Sequence, residues 1–82
     1  MPEFLFSIHA REQMLKRNIS EQDVLETVNS GQREIGLDNV GIYQRLYNFD
    51  GKEFFIRVFV NTEKLPLLII TVYKTSKIEK YL

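Results

Sequence analysis

Over the first thirty residues the apolar positions recur at helical spacing, and from Arg33 onward they alternate with polar ones. Ser7 is placed to cap a first helix running to about Arg17, with a stripe of Ile8, Met14 and Leu15 and with Ala10 beside Met14. Asn18 ends that helix, because asparagine tolerates the left-handed conformation that closes one. A second start signal follows at once in Ile19-Ser20-Glu21-Gln22-Asp23-Val24. Ser20 is the N-cap, Asp23 stands at the capping-box position, and Ile19 and Val24 have the spacing of a hydrophobic staple. Glu21 and Asp23 suit the positive end of the helix dipole. Val24, Leu25 and Val28 form the second apolar stripe, and Gly31 is the stop.

The period-two half predicts strands. Arg33–Leu37 reads as a short one, followed by a turn at Asp38-Asn39-Val40-Gly41. Ile42–Phe49 and Lys52–Val60 flank Asp50-Gly51, a strong hairpin signal. A two-residue loop there pairs Phe49 with Lys52, Tyr47 with Phe54, Arg45 with Ile56 and Tyr43 with Val58. On the opposite face it pairs Leu46 with Phe55, Gln44 with Arg57 and Ile42 with Phe59. Asn61–Pro66 is read as a loop, Leu67–Lys74 as a fourth strand, and Ser76–Tyr81 as a short terminal helix. The fold class is α+β: two N-terminal helices on one face of a four-stranded antiparallel sheet, in the order ααββββ. Phe54, Ile56, Val58, Val60, Leu68, Ile70 and Val72 are assigned to the helix-covered side. Phe55, Arg57, Phe59, Leu67, Ile69, Thr71 and Tyr73 are assigned to an open face that mixes aromatics with a cation, a hydroxyl and a phenol.

Composition then limits the chemistry. The 82 residues, 44% of them hydrophobic, make one domain (1–82) with a single core. No cysteine and one histidine leave no disulfide framework and no metal-ligand spacing, so neither metal nor cofactor is expected. The acidic start Met1-Pro2-Glu3-Phe4 is unlike the basic start of a signal peptide. The longest apolar run, Leu65 to Tyr73, is far short of a bilayer span. A cytoplasmic protein without a membrane span is the expectation. The net charge is zero, but residues 1–42 carry four cations against seven carboxylates and residues 43–82 carry seven against four. Such asymmetry suits a polyanion on the basic half, or two solvated surfaces.

Chemistry here must use His9, arginine, lysine, tyrosine and threonine. RNA cleavage by the 2′-hydroxyl on its own phosphate needs a base, an acid and cations against the charge growing on phosphorus. His9 belongs to the residue type that exchanges protons near neutrality, and on the first helix it lies on the side of Gln13 and Lys16, away from the core. It reads as an exposed or capping histidine, or as a proton carrier. Arg17 reads as a cation on the helix dipole or a phosphate contact. Arg57 sits mid-strand between Phe55 and Phe59. It either lies over those rings and pairs with Glu53 or Gln44, or binds phosphate. Thr71 and Tyr73 share one face near the end of the last strand, where β-propensity alone also explains them. Lys74, Lys77 and Lys80 form a solvated run or extend a phosphate surface.

His9-Ala10, Met14, Arg17-Asn18-Ile19-Ser20 and later Ile70-Thr71-Val72-Tyr73 together resemble the small bacterial family catalogued as domain of unknown function 4258. The resemblance covers nearly the whole chain and departs at Asn18, where members usually carry glycine. It implies a fold similar to the RelE/ParE-like toxins and, more distantly, the barnase–EndoU–colicin ribonuclease group. In those folds the site lies on the open sheet face. The matching positions here are His9, Arg57, Thr71 and Tyr73 as catalytic candidates, with Arg17 a lesser one. Arg17, Lys16, Gln44 and Lys74 are read as substrate contacts. The implied function is a toxin-like, metal-independent endoribonuclease, with RNA (free or ribosome-bound) as substrate and an antitoxin protein as partner.

The alternative is a non-catalytic protein-interaction domain of the same fold, using the mixed aromatic face for a partner or for a homodimer. DNA binding ranks last, because the second helix would be the reader and it carries Glu21, Asp23 and Glu26 with no cation.

Overall fold

Ser7 ends one element and starts the next, and much of the architecture follows from that junction. In the computed structural model, which describes residues 4–35, 40–63 and 66–81, strand β1 (Phe4–Phe6) runs directly into helix α1 (Ile8–Lys16). The backbone N–H of Ser7 donates to Ile69 O at 2.9 Å. Its hydroxyl donates to Ile70 O at 2.6 Å and accepts from the Ala10 N–H at 2.9 Å. One serine thus extends a strand ladder and caps a helix, as its place before the apolar run predicts.

Helix α2 (Glu21–Ser30) follows, with the Ser20 side chain accepting from the Asp23 N–H. Asn18, at φ 54°, makes the left-handed turn between the helices. Strands β2 (Gln32–Ile35), β3 (Val40–Phe49), β4 (Lys52–Asn61) and β5 (Leu67–Thr75) come next, then a 3-10 turn (Ile78–Tyr81) in place of the expected terminal helix. Of the turn expected at 38–41, Asp38 and Asn39 lie outside the described residues, while Val40 and Gly41 belong to β3. The Asp50-Gly51 hairpin has φ 51° and 84°, positive at both central residues as a two-residue loop of this kind requires. All seven expected cross-strand pairs are present.

The class is α+β, but the sheet is five-stranded and mixed, in the order β1-β5-β4-β3-β2, and not four-stranded and antiparallel. The added strand is β1, parallel to β5, with Phe4 opposite Leu67 and Phe6 opposite Ile69. Three residues are too short for alternation to declare a strand, and the partner is distant in sequence. Phe4 and Phe6 repay the pairing by packing on the core.

The helices lie on one face over Ile56, Val58, Val60, Ile69 and Val72, with Ala10, Met14, Ile19, Val24 and Val28 facing them. Here Ile69 replaces the expected Ile70 and Leu68. The ladder jumps from Phe59–Thr71 to Val60–Ile69, so Ile70 is the extra residue of a bulge and every side chain before it changes face. A second correction concerns α1. Ile8 and Leu15 are 81% and 86% exposed. They lie seven residues apart on one side, while Ala10 and Met14 occupy the opposite side, where the small Ala10 lets the helix sit close to β5. No helix among the described residues is long and apolar enough to cross a membrane.

Thr27 and Gly31 are two of the points at which α2 meets the sheet. Thr27 is fully buried, and its hydroxyl donates to Asp23 O at 2.7 Å and meets the Tyr47 hydroxyl at 2.9 Å. Tyr47→Phe removes that link and is expected to cost about 1 kcal/mol by chemical denaturation. Gly31, at the end of α2, approaches β3 so closely that a Cβ there would stand 2.4 Å from Thr27 O and 2.6 Å from Gln44 O.

Candidate functional site

The face turned away from the helices is a grid fixed by strand register. One row across it reads Gln32, Gln44, Arg57, Tyr73; the next reads Glu34, Ile42, Phe59, Thr71. Beyond the first row lie Leu46, Phe55 and Thr75, and beyond the second Val40, Asn61, Leu68 and Leu5. A polar row therefore runs between a largely apolar row and a mixed one. Phe55 and Thr75 are buried at 6% and 7% although they face away from the helices. The 3-10 turn packs against β4, and just before it the Thr75 hydroxyl accepts from the Lys77 N–H at 3.1 Å.

Arg57 is the centre of the polar row, and its side chain is only 15% exposed. Its Nε donates to Gln44 Oε1 at 3.1 Å, and Gln44 is itself buried on the interior strand β3. Its guanidinium carbon lies 5.6 Å from the centre of the Phe59 ring, and Nη2 stands 4.0 Å from Glu34 Oε2. The carboxylate recorded beside Arg57 is Glu34 and not Glu53, which stands four residues earlier in β4, opposite Asn48.

Tyr73 is the next residue of the row, and Arg17 reaches it from α1. Strand β1 stops at Phe6, so among the described residues no strand covers the outer edge of β5 from Ile70 onward. Arg17 crosses that bare edge. Its guanidinium carbon is 5.1 Å from the centre of the Tyr73 ring, and Nη1 donates to Lys74 O at 3.4 Å. Lys74 returns the contact, its Nζ donating to Arg17 O at 3.3 Å, with the ammonium 5.1 Å from both the Phe49 and the Phe54 ring centres. The Lys74 side chain thus lies on the helix side, against the end of α1, and holds the backbone of Arg17 itself.

His9, Gln13 and Arg17 recur every fourth residue and share one side of α1. Gln13 Oε1 accepts from Arg17 Nε at 3.2 Å. His9 is exposed near the Ile70 end of the bare edge, while Arg17 stands two turns on, about 12 Å along the helix axis. Thr71 is half-buried on the open face, two residues from Tyr73. Lys16 is exposed on α1. The fold aligns Gln44, Arg57 and Tyr73 in one cross-strand row, with Arg17 against Tyr73 and Thr71 in the next row, and His9 lies two helical turns from Arg17.

Glu34 was not legible as a neighbour of Arg57, because the β2–β3 register is not fixed by a tight-turn signal. Arg45 belongs to the other face. It pairs with Glu26 at 2.6 Å and donates to Ser30, and the Glu26 hydrogen bond holds the guanidinium above its ordinary range. Among the described residues no group of three histidine, cysteine or acidic side chains could hold a metal ion.

Residues 6–74 match the family described as Domain of unknown function (DUF4258). No curated protein and no solved structure matches the chain.

Proposed function

We propose, for a chain that belongs to the domain of unknown function 4258 family, that the open face binds RNA and that the β5 edge cleaves it without a metal. The observation that carries this reading is the row Gln44–Arg57–Tyr73–Arg17. It sets two guanidiniums on either side of a phenol, beside the Phe59 ring, on the face turned away from α1 and α2. Fixed guanidiniums suit a phosphate, and the half-buried Phe59 and Tyr73 rings suit an unpaired base.

In the proposed reaction the 2′-oxygen attacks phosphorus and the bond to the 5′-oxygen breaks, giving a cyclic phosphate and a free 5′-hydroxyl. One proton leaves the 2′-hydroxyl and one reaches the departing oxygen. His9 is the proton carrier, Arg57 stabilises the charge on phosphorus, and Thr71 donates a hydrogen bond to it. Tyr73 stacks or supplies the second proton, and Arg17 and Lys16 extend the phosphate surface. The toxin-like character and the antitoxin partner belong to this proposal through the resemblance to the RelE/ParE-like group.

The test uses purified protein, single-stranded RNA and a chelator. Cleavage is expected in wild type, with losses of at least about 100-fold in His9→Ala and Arg57→Met. Intact RNA with wild type, or two variants as active as wild type, overturns the reading. A second reading, a protein-interaction face, is favoured by Leu46 and Leu5, 42% and 55% exposed on the same side. Phe55 is already buried within the chain, so a homodimer would rest on Phe59, Leu46 and Leu5. Sedimentation at rising concentration detects it.

A further inference from the structure

Among the contacts of the Arg57 guanidinium are two side chains that are held very differently. Gln44 is neutral, 4% exposed and on an interior strand. Glu34 is charged, its side chain 57% exposed, on the edge strand β2, with its oxygen 4.0 Å from Arg57 Nη2. At that distance the carboxylate acts as a charge neighbour and makes no full hydrogen bond, so its departure costs little. A phosphate group would offer the same guanidinium several oxygens and the bidentate geometry that its fork favours.

We propose that Glu34 is a resident competitor for Arg57: it neutralises the cation in the ligand-free protein and gives way to a multivalent anion of the phosphate class. This rests on the reading of Arg57 as the phosphate-contacting residue. Competition of this kind lowers the affinity for every anion by the same factor. Weak monovalent anions then fall below useful binding, and a ligand bearing several phosphates still binds. The device also gives a local meaning to the zero net charge of the chain: a carboxylate is stationed on the side of the sheet that would receive a polyanion.

The experiment measures binding of sodium tripolyphosphate by calorimetry to wild type, Glu34→Gln, Arg57→Met and the double variant. Glu34→Gln keeps the size of the side chain and removes its charge. It is expected to bind about two- to fivefold tighter than wild type, the scale of a partly exposed ion pair, and the gain should vanish when Arg57 is methionine. Glu12→Gln, on the outer side of α1, removes one charge remote from Arg57 and should leave the affinity unchanged. Equal tightening in Glu12→Gln, no tightening in Glu34→Gln, or a gain that persists without Arg57 each overturns the competitor. RNA cleavage separates the two ideas. If every variant leaves RNA intact while Glu34→Gln gains affinity through Arg57, the competitor stands and the nuclease falls. If RNA is cleaved in an Arg57-dependent way and Glu34→Gln binds no tighter, the reverse holds.

Discussion

Alanine at position 69 is expected to remove about 3–4 kcal/mol of stability, and alanine at position 70 only about 1 kcal/mol. Strict alternation along β5 predicts the opposite order, since it assigns Ile70 to the core and Ile69 to the open face. The bulge reverses them: Ile69 is fully buried among the helix-facing side chains, while Ile70 is half-buried. A domain of this length holds a total of about 4–12 kcal/mol, so Ile69→Ala should remove a large fraction of the whole. Chemical denaturation of the two variants side by side decides the matter. Equal losses, or a larger loss at position 70, would contradict the register jump between Phe59 and Val60.

Gly31→Ala is expected to cost about 3 kcal/mol, near the upper end for an overpacked site. Gly31 has φ −79°, which any residue can adopt, so backbone conformation does not demand the glycine. Space does. The added methyl carbon would meet two backbone oxygens, one at the end of α2 and one on β3. Neither is the flexible end of a side chain, so helix and strand must separate. The β3 oxygen belongs to Gln44, whose side chain holds Arg57, and the displacement should reach the open face. The expected result is a lower melting temperature together with a weaker response to tripolyphosphate. An unchanged melting temperature would show that the helix end yields at no cost.

What the chain reveals before folding depends on how local each signal is. The Asp50-Gly51 turn fixes a register by itself, and from it follow the β3–β4 pairs and the placement of Gln44 beside Arg57. The caps Ser7 and Ser20 likewise announce both helices. The bulge leaves no such mark, because Leu67-Leu68-Ile69-Ile70 is apolar at every position and alternation has nothing to count. Strand β1 is hidden by its brevity, and the outward turn of Ile8 and Leu15 by the assumption that large residues of a helix face inward. On the candidate site, Arg57, Thr71 and Tyr73 share a face as their spacing predicts. The approach of Arg17 to Tyr73 follows from where β1 stops, and the approach of Glu34 to Arg57 from a pairing with no turn signal. Both are consequences of assembly and could not be read from spacing.

The place of β1 in the sheet also governs when the domain can exist. Ser7 hydrogen-bonds to a carbonyl 63 residues downstream, and Phe4 and Phe6 find their partners only in the last strand. Such distant pairing delays closure of the sheet, because the intervening chain must be gathered before the contact repays its entropy. Helix α1 cannot be seated until β5 has been synthesised, and without that seat Arg17 cannot rest on Tyr73. During translation the candidate site would therefore be among the last parts to form, assembling only after β5 has cleared the ribosome.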